Sequence, residues 1–451
     1  MLPLAAALAF VTAWVLLILE VDPVPTWFFV FAWYPLLIVA NSYTGRHGNR
    51  GPVFDSIPRI VSLLGWSAII WLVFEALNFR LRNWYYVFLP EYSVERWAGI
   101  LLSFGTVIPA ILLAERLLES AGVARGARTA PIKSTPLQLR LAQLLGVGTA
   151  VLALAFPRTF FPLVWGAALL IADPIVLRRR PELSLFGDLA TGSWGRILRL
   201  MLGGLFIGLV WELLNFWARG KWIYTVPWLE QTKLFEMPPL GFLGFPFFAL
   251  EAWAMYHVLG GGRGGRGGGG GRRAERQSGR AADGRWRRVT AALAAAGFAV
   301  LVLLGMERWT ISSVTPRLVD MPGVSSATVN ALEAAGLSSA FVLARSDFDS
   351  VARMGALPDK TAWQAVETAR LITLRGIGVP HATRLAALDV MTVCQLARQH
   401  PGTLWRMYHE APRTRGARLP GRARPTPAEV RVWIGAARRA CTERFLVPAQ
   451  H

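Results

Sequence analysis

The sequence predicts an all-α membrane protein: a polytopic transmembrane helix bundle followed by a small all-α domain. Three observations carry that prediction. Nearly uncharged runs of about 18–22 residues recur from residue 1 to 260, and a helix needs about 20 such residues to cross a bilayer. The charge of the connecting loops alternates along the chain. A block of polar and apolar residues in the first third returns in the second. Composition agrees, with 53% hydrophobic residues and a mean hydropathy of +0.39, above that of ordinary soluble domains.

The predicted spans are 2–19, 26–42, 58–79, 97–118, 140–157, 160–177, 198–217, 238–259 and 289–306. Trp27, Trp84, Trp97, Trp222, Trp228 and Trp309 stand near span ends, where an amphipathic ring prefers the membrane–water interface. Met1 to Leu19 lacks a basic leading segment and a clear cleavage site. It therefore reads as a retained span. Residues 1–120 form a first four-span unit and 138–260 a second. A Gly/Arg-rich linker follows at 261–288, then a ninth span at 289–306 and a domain at 316–445. By composition the linker is flexible.

Charge sets the orientation. The net charge is +20. Residues 261–288 hold nine Arg against Glu275 and Asp283, and residues 400–451 hold ten Arg against three Glu. The loops after spans 2, 4, 6 and 8 carry about twenty Lys/Arg and the odd-numbered loops about seven, so the N-terminus and the even loops are expected in the cytoplasm. A ninth crossing then puts the C-terminal domain outside it. The expected location is a bacterial inner (plasma) membrane. The two cysteines, Cys394 and Cys441, make no disulfide framework and no metal-type cluster.

The internal repeat is specific. Leu72-Val73-Phe74-Glu75-Ala76-Leu77-Asn78-Phe79 matches Leu209-Val210-Trp211-Glu212-Leu213-Leu214-Asn215-Phe216, with Glu75 and Glu212 137 positions apart. Arg82 matches Arg219, Trp84 and Tyr86 match Trp222 and Tyr224, and Pro90 matches Pro227. Four is an even number of spans, so the two copies share one orientation, unlike the inverted repeats of many transporters. The fold class is therefore two parallel four-helix repeats plus a ninth span.

Glu75, Asn78 and Arg82 fall at i, i+3 and i+7, one helix face if the helix continues through Arg82. Glu212, Asn215 and Arg219 repeat the pattern. An intramembrane carboxylate rarely faces lipid, so two such faces, with Trp84 and Trp222 nearby, predict a polar pocket between the repeats. Glu and Arg could equally pair within the bundle to fix packing. Glu251 is a further pocket candidate. Glu115, beside Arg116, reads as interfacial, and Asp173, before Pro174, as a helix end. The histidines are scattered, so no metal site and no cofactor is expected. The linker glycines follow no strand and lack a Gly-Lys-Ser/Thr ending, which excludes a phosphate loop.

Residues 323–344 and 376–397 align without a gap, from Gly323-Val324-Ser325 to Leu343-Ala344 and from Gly376-Ile377-Gly378 to Leu396-Ala397. These copies resemble the helix-hairpin-helix superfamily in tandem form, over about a quarter of the chain. The second hairpin, Leu374-Arg375-Gly376-Ile377-Gly378, carries the full Gly-Ile-Gly; the first has Ser325 for the second glycine. The resemblance implies an all-α domain whose hairpin backbone binds a DNA phosphate without reading bases. The residues implied are Gly323, Val324 and Ser325, then Gly376, Ile377 and Gly378. It also implies a DNA or protein partner, and membrane-anchored extracytoplasmic hairpin domains do occur in DNA-uptake receptors of competent bacteria. Residues 316–399, however, hold eight Lys/Arg against seven Asp/Glu, whereas backbone binding needs several cations.

Three functions remain open from sequence. The duplicated bundle binds or moves a small or lipidic molecule. Alternatively it is a membrane enzyme acting on a hydrophobic, isoprenoid-like substrate through Glu75 and Glu212, as paired carboxylates do in membrane carotenoid cyclases. The third is a membrane-anchored receptor for nucleic acid or protein. Besides these partners, membrane lipids are expected around the bundle.

Overall fold

The computed structural model describes residues 1–47, 52–226, 232–259, 278–410 and 425–446. Arg50, Pro227, Trp228, linker residues 261–277 and the tail arginines from Arg413 to Arg424 lie outside the described residues. The chain forms two compact units. The first comprises Met1–Leu81, Trp97–Trp217 and Pro239–Met306; the second comprises Arg82–Arg96, Ala218–Pro238 and the chain from Glu307 onward.

The helices of the first half are α1 (Leu2–Ile18), α2 (Val24–His47) and α3 (Ile57–Leu81), then, after strand β1 (Trp84–Val87), α4 (Ser93–Gly105) and α5 (Val107–Ser120). The second half has α6 (Pro136–Ala155), α7 (Pro157–Phe160), α8 (Ala167–Arg179), α9 (Leu185–Ala190) and α10 (Gly195–Trp217), then strand β2 (Lys221–Tyr224) and α11 (Gly244–Val258). Helix α12 runs Ser278–Trp309. Its first turns occupy residues expected in a flexible linker; past the glycine run, Ala and Arg favour helix and simply extend the span.

Among the described residues, seven helical stretches are long and apolar enough to cross a membrane: Val24–Arg46, Ile57–Leu81, Ser93–Ser120, Pro136–Ala155, Pro157–Arg179, Gly195–Trp217 and Val289–Trp309. This is the composition of an integral membrane protein. Two of the nine predicted spans are shorter, α1 with 17 residues and α11 with 15. Two others are broken. The stretch 97–118 breaks at Thr106, where Pro109 removes a backbone donor. Ser67 of α3 fills the break: its Oγ donates to the Phe104 carbonyl at 2.7 Å and accepts from the Ile108 N–H at 3.0 Å. The stretch 160–177 passes through a 3-10 turn, Phe161–Val164, and restarts as α8 after Gly166 at φ +108°.

In the first unit α1 packs on α2 as α6 packs on α8; α8 and α10 both pack on α11, and α5 packs on α2, α3 and α10. Small residues let helices approach. A Cβ on Gly204 would stand 2.6 Å from the Phe245 carbonyl oxygen.

In the second unit β1 and β2 pair antiparallel, Trp84 opposite Tyr224, Tyr85 opposite Ile223 and Tyr86 opposite Trp222. Residues 310–315 add a third extended segment: Tyr86 and Ile311 form a parallel bridge, and Tyr86 receives the Ser312 N–H at 2.8 Å. The helices are α13 (Ser326–Ala334), α14 (Ala340–Arg345), α15 (Phe348–Met354), α16 (Asp359–Thr373), α17 (Gly378–Ala386), α18 (Val393–Ala397), α19 (Pro401–Glu410) and α20 (Pro427–Leu446). Leu332, Ile372, Ile377, Leu385, Leu396, Leu404 and Trp433 form their core. Tyr85, Val87 and Ile223 bury themselves with Val432 of α20, against Phe341 of α14. The unit is thus larger than the expected 316–445, because a two-stranded ribbon is marginal alone and needs apolar cover. Cys394 and Cys441 form a disulfide joining α18 to α20, which the sequence reading did not anticipate.

Candidate functional site

The two units divide the predicted pocket residues. Glu75, Asn78, Glu212, Asn215 and Glu251 lie in the first unit and are fully buried. Arg82, Arg219, Trp84 and Trp222 lie in the second. The helical face expected to continue through Arg82 and Arg219 stops short, since α3 ends at Leu81 and α10 at Trp217. Arg82 takes φ +56°, the left-handed conformation that ends helices, and its carbonyl accepts the Thr225 hydroxyl at 2.5 Å. Arg219 lies over the Phe341 ring, 4.6 Å from its centroid. Trp84 and Trp222, expected at span ends, are strand residues.

Around the buried carboxylates of the first unit stands a cluster of rings. Trp71, one turn before Glu75, donates its indole N–H to Glu75 Oε1 at 3.0 Å. Its ring lies 5.7 Å from that of Trp211, the residue before Glu212. Trp33 stacks on Trp211 at 6.3 Å. Phe248 touches Trp71, Trp211, Phe74 and Trp165 at 5.3–6.1 Å. Phe248 sits one helical turn before Glu251, and Phe74 directly precedes Glu75. Helices α3 and α10 therefore meet through Trp71 and Trp211, with Phe248 of α11 closing a third side.

Glu251 occupies the break between α7 and α8. Its Oε2 accepts the Gly166 N–H at 2.9 Å, at the start of α8, where unpaired N–H groups and the helix dipole favour an anion. Its Oε1 is buried and has no hydrogen-bond partner among the described residues. Such atoms are rare in folded proteins, because each loses hydration without replacement.

A second polar cluster also lies in the first unit. Glu115, expected at the interface, is 1% exposed and pairs with Arg199 at 2.8 Å; Arg199 also reaches Glu119 at 3.4 Å. Asp173 does not end its helix: α8 runs on to Arg179. Its carboxylate accepts the Ser184 hydroxyl at 2.7 Å and the Leu185 and Phe186 N–H groups at 3.0 and 2.7 Å. Asp188 pairs with Arg196 at 3.2 Å. Burial pushes the Asp188 carboxyl up to about 6, although Arg196 pulls it the other way.

Two charged centres in the second unit were not singled out from sequence. Arg96, fully buried, forms a two-pronged pair with Glu307 at 2.8 and 2.9 Å and donates to the Pro90 and Glu91 carbonyls and to Ser93 Oγ. Glu236, also buried, pairs with Arg375 and with Lys221, the latter at 3.3 Å. Neither centre shows a local sequence spacing, because its main partners come from segments far apart in the chain, Arg96 from α4 and Glu307 from α12, Lys221 from β2 and Arg375 from the turn before α17.

The two segments expected to be hairpins differ. Gly323 and Ser325 are exposed, and Ser325 caps α13 through the Thr328 N–H at 3.1 Å; Val324 is half-buried. Gly376, Ile377 and Gly378 are buried. A Cβ on Gly376 would stand 2.0 Å from Val87, and one on Gly378 2.6 Å from Ser313. At φ +79° and +65° these glycines allow both the turn and the close approach. His381 is a satisfied core residue, 2.6 Å from the Tyr408 hydroxyl. Among the described residues no His/Cys/Asp/Glu group could hold a metal ion. Comparison with protein-family models, with curated proteins and with solved structures gave no match.

Proposed function

We propose that the protein is a polytopic membrane protein whose duplicated bundle binds or moves a small or lipidic molecule at a site formed by Glu75, Asn78, Glu212, Asn215 and Glu251. The observation that carries this reading is the unpartnered, buried Oε1 of Glu251 beside a ring cluster whose Trp71 donates to Glu75. An orphaned polar atom costs stability unless it has a use, and buried acids in membrane helices mark binding or proton pathways. The helix is also broken at the same place, and broken helices are common at transporter sites, although here the N-terminus holds the chain's own Glu251. The ligand expected there is largely apolar, because Trp71, Trp211, Phe248, Phe74 and Trp165 cluster at this place. Organic extraction of the purified chain followed by mass spectrometry tests this: a lipophilic compound should accompany the native chain and be lost from the Glu75→Gln/Glu212→Gln variant. Equal recovery from both would refute the site.

A second reading is a membrane enzyme acting on an isoprenoid-like substrate. The Trp71 bond to Glu75 with Trp211 alongside favours it, since an acid next to tryptophan faces suits a reaction that develops cationic charge in carbon.

The two parallel repeats are supported by the strand pairing. Trp84 matches Trp222 in the repeat and pairs with Tyr224, while Tyr86 matches Tyr224 and pairs with Trp222. That reciprocity is what a two-fold relation produces. The second unit also supports a crossing by α11. Residues 218–238 and 307–446 fold in one unit, hence on one side of the membrane, and α12 crosses once between them. The chain must cross a second time, which leaves α11. We place this unit outside the cytoplasm, where the Cys394–Cys441 disulfide would persist. The tandem helical hairpins form an interaction module there. Burial of Gly376, Ile377 and Gly378 favours a packing role for the second hairpin, leaving Gly323, Val324 and Ser325 as the accessible one.

A further inference from the structure

On the side of α3 away from the carboxylates, the first unit has an apolar crevice of about 650 Å³ lined by Val73, Ala76, Leu77 and Arg80 of α3, Val151, Leu154 and Ala155 of α6, and Phe298 of α12. At 100° per residue the α3 lining lies about 180° around the helix from Glu75 and Asn78, so the crevice is separate from the site above. Around it the helices present exposed apolar side chains, among them Leu144 and Val151 on α6 and Leu293 and Leu301 on α12. In a bilayer such a surface meets hydrocarbon. At one end stands Arg80, exposed, one residue before the end of α3. Its Nη2 donates to the Ala155 carbonyl at 3.2 Å, at the end of α6, which anchors the guanidinium and leaves further N–H donors of its planar fork for an anion. The position matching Arg80 in the second repeat is Trp217, so the cation is present in only one of the two repeats.

We propose that this crevice binds one acidic phospholipid, with an acyl chain against α3, α6 and Phe298 and the phosphate on Arg80. The chemistry at each end is what such a molecule needs: hydrocarbon along the helices, then a weakly hydrated, flat cation at the depth where lipid phosphates lie. Apolar chains without an acidic head would fill the crevice but gain nothing from Arg80.

The test uses the full-length chain in detergent, incubated with equal amounts of phosphatidylglycerol and phosphatidylcholine of identical chains and weighed intact by mass spectrometry. One phosphatidylglycerol should be retained in preference by about fivefold, the effect of a single interfacial cation. Arg80→Gln should remove the preference, Arg80→Lys should keep it, and Ala76→Phe, which fills the crevice, should lower retention of both lipids. Equal retention of the two lipids by the native chain, or an undiminished preference in Arg80→Gln, overturns the proposal. So does displacement of the lipid by glycerol phosphate alone, which would make Arg80 a bare anion site.

Discussion

Buried charge is handled differently at the ion pairs of the second unit and at the ring cluster of the first. In the second, Arg96 has Glu307 and three further acceptors, and Glu236 has both Arg375 and Lys221. In the first, Glu115 likewise has Arg199, but Glu75 is buried against Trp71, and one oxygen of the buried Glu251 lacks a partner among the described residues. A saturated pair ties distant segments together. A carboxyl held among rings contributes little to stability and keeps chemistry available. On the function proposed above, the difference separates charges that hold the fold from charges that would serve a ligand, and substitution tests that separation.

The largest effect is expected in the second unit. Arg96→Ala leaves Glu307 and two loop carbonyls without their donor and should destabilise the protein by about 3–5 kcal/mol, measured as lost cooperative unfolding of that unit in denaturant. Next, reduction or Cys394→Ser removes a cross-link between residues 47 apart and should cost about 3–4 kcal/mol. An intact disulfide in freshly isolated membranes, read by alkylation with and without reductant, would also fit an extracytoplasmic position. A protease or reporter assay that finds residue 350 in the cytoplasm would break that assignment. Gly376→Ala forces a Cβ onto Val87 at positive φ and should cost about 2–3 kcal/mol, whereas Gly323→Ala meets only the flexible end of Gln364 and should cost less.

The smallest stability effects belong to the first unit. Glu75→Gln, Glu212→Gln and Glu251→Gln should each change stability by less than about 1 kcal/mol while abolishing ligand recovery or activity. Loss of stability comparable to that of Arg96→Ala would erase the distinction. Asp188 adds a dependence on pH. Its carboxyl, ordinarily near 3.8, is raised by burial to about 6, so the folded state holds a proton that the unfolded state has released. Stability should therefore fall as pH rises from about 4 to about 6. Asp188→Asn should flatten the thermal-stability profile over that window.

By itself the sequence determined that the protein is helical with membrane-length apolar helices, because the length and apolarity of a span are local properties. It also determined that Glu75, Asn78, Glu212 and Asn215 face inward, since a carboxylate and an amide one turn apart on an apolar helix leave few alternatives. Periodicity could not reveal where those helices end: the left-handed turn at Arg82 and the end of α10 at Trp217 move Arg82 and Arg219 out of the predicted faces. The strands Trp-Tyr-Tyr-Val and Lys-Trp-Ile-Tyr read as interfacial aromatics until they are paired, because strand propensity depends on what packs on the ribbon. Only the tertiary structure brought Arg96 to Glu307, Arg375 to Glu236 and Gly166 to Glu251. Those partners lie 211, 139 and 85 residues apart, and contacts at such separations follow from how helices pack, which no local spacing encodes.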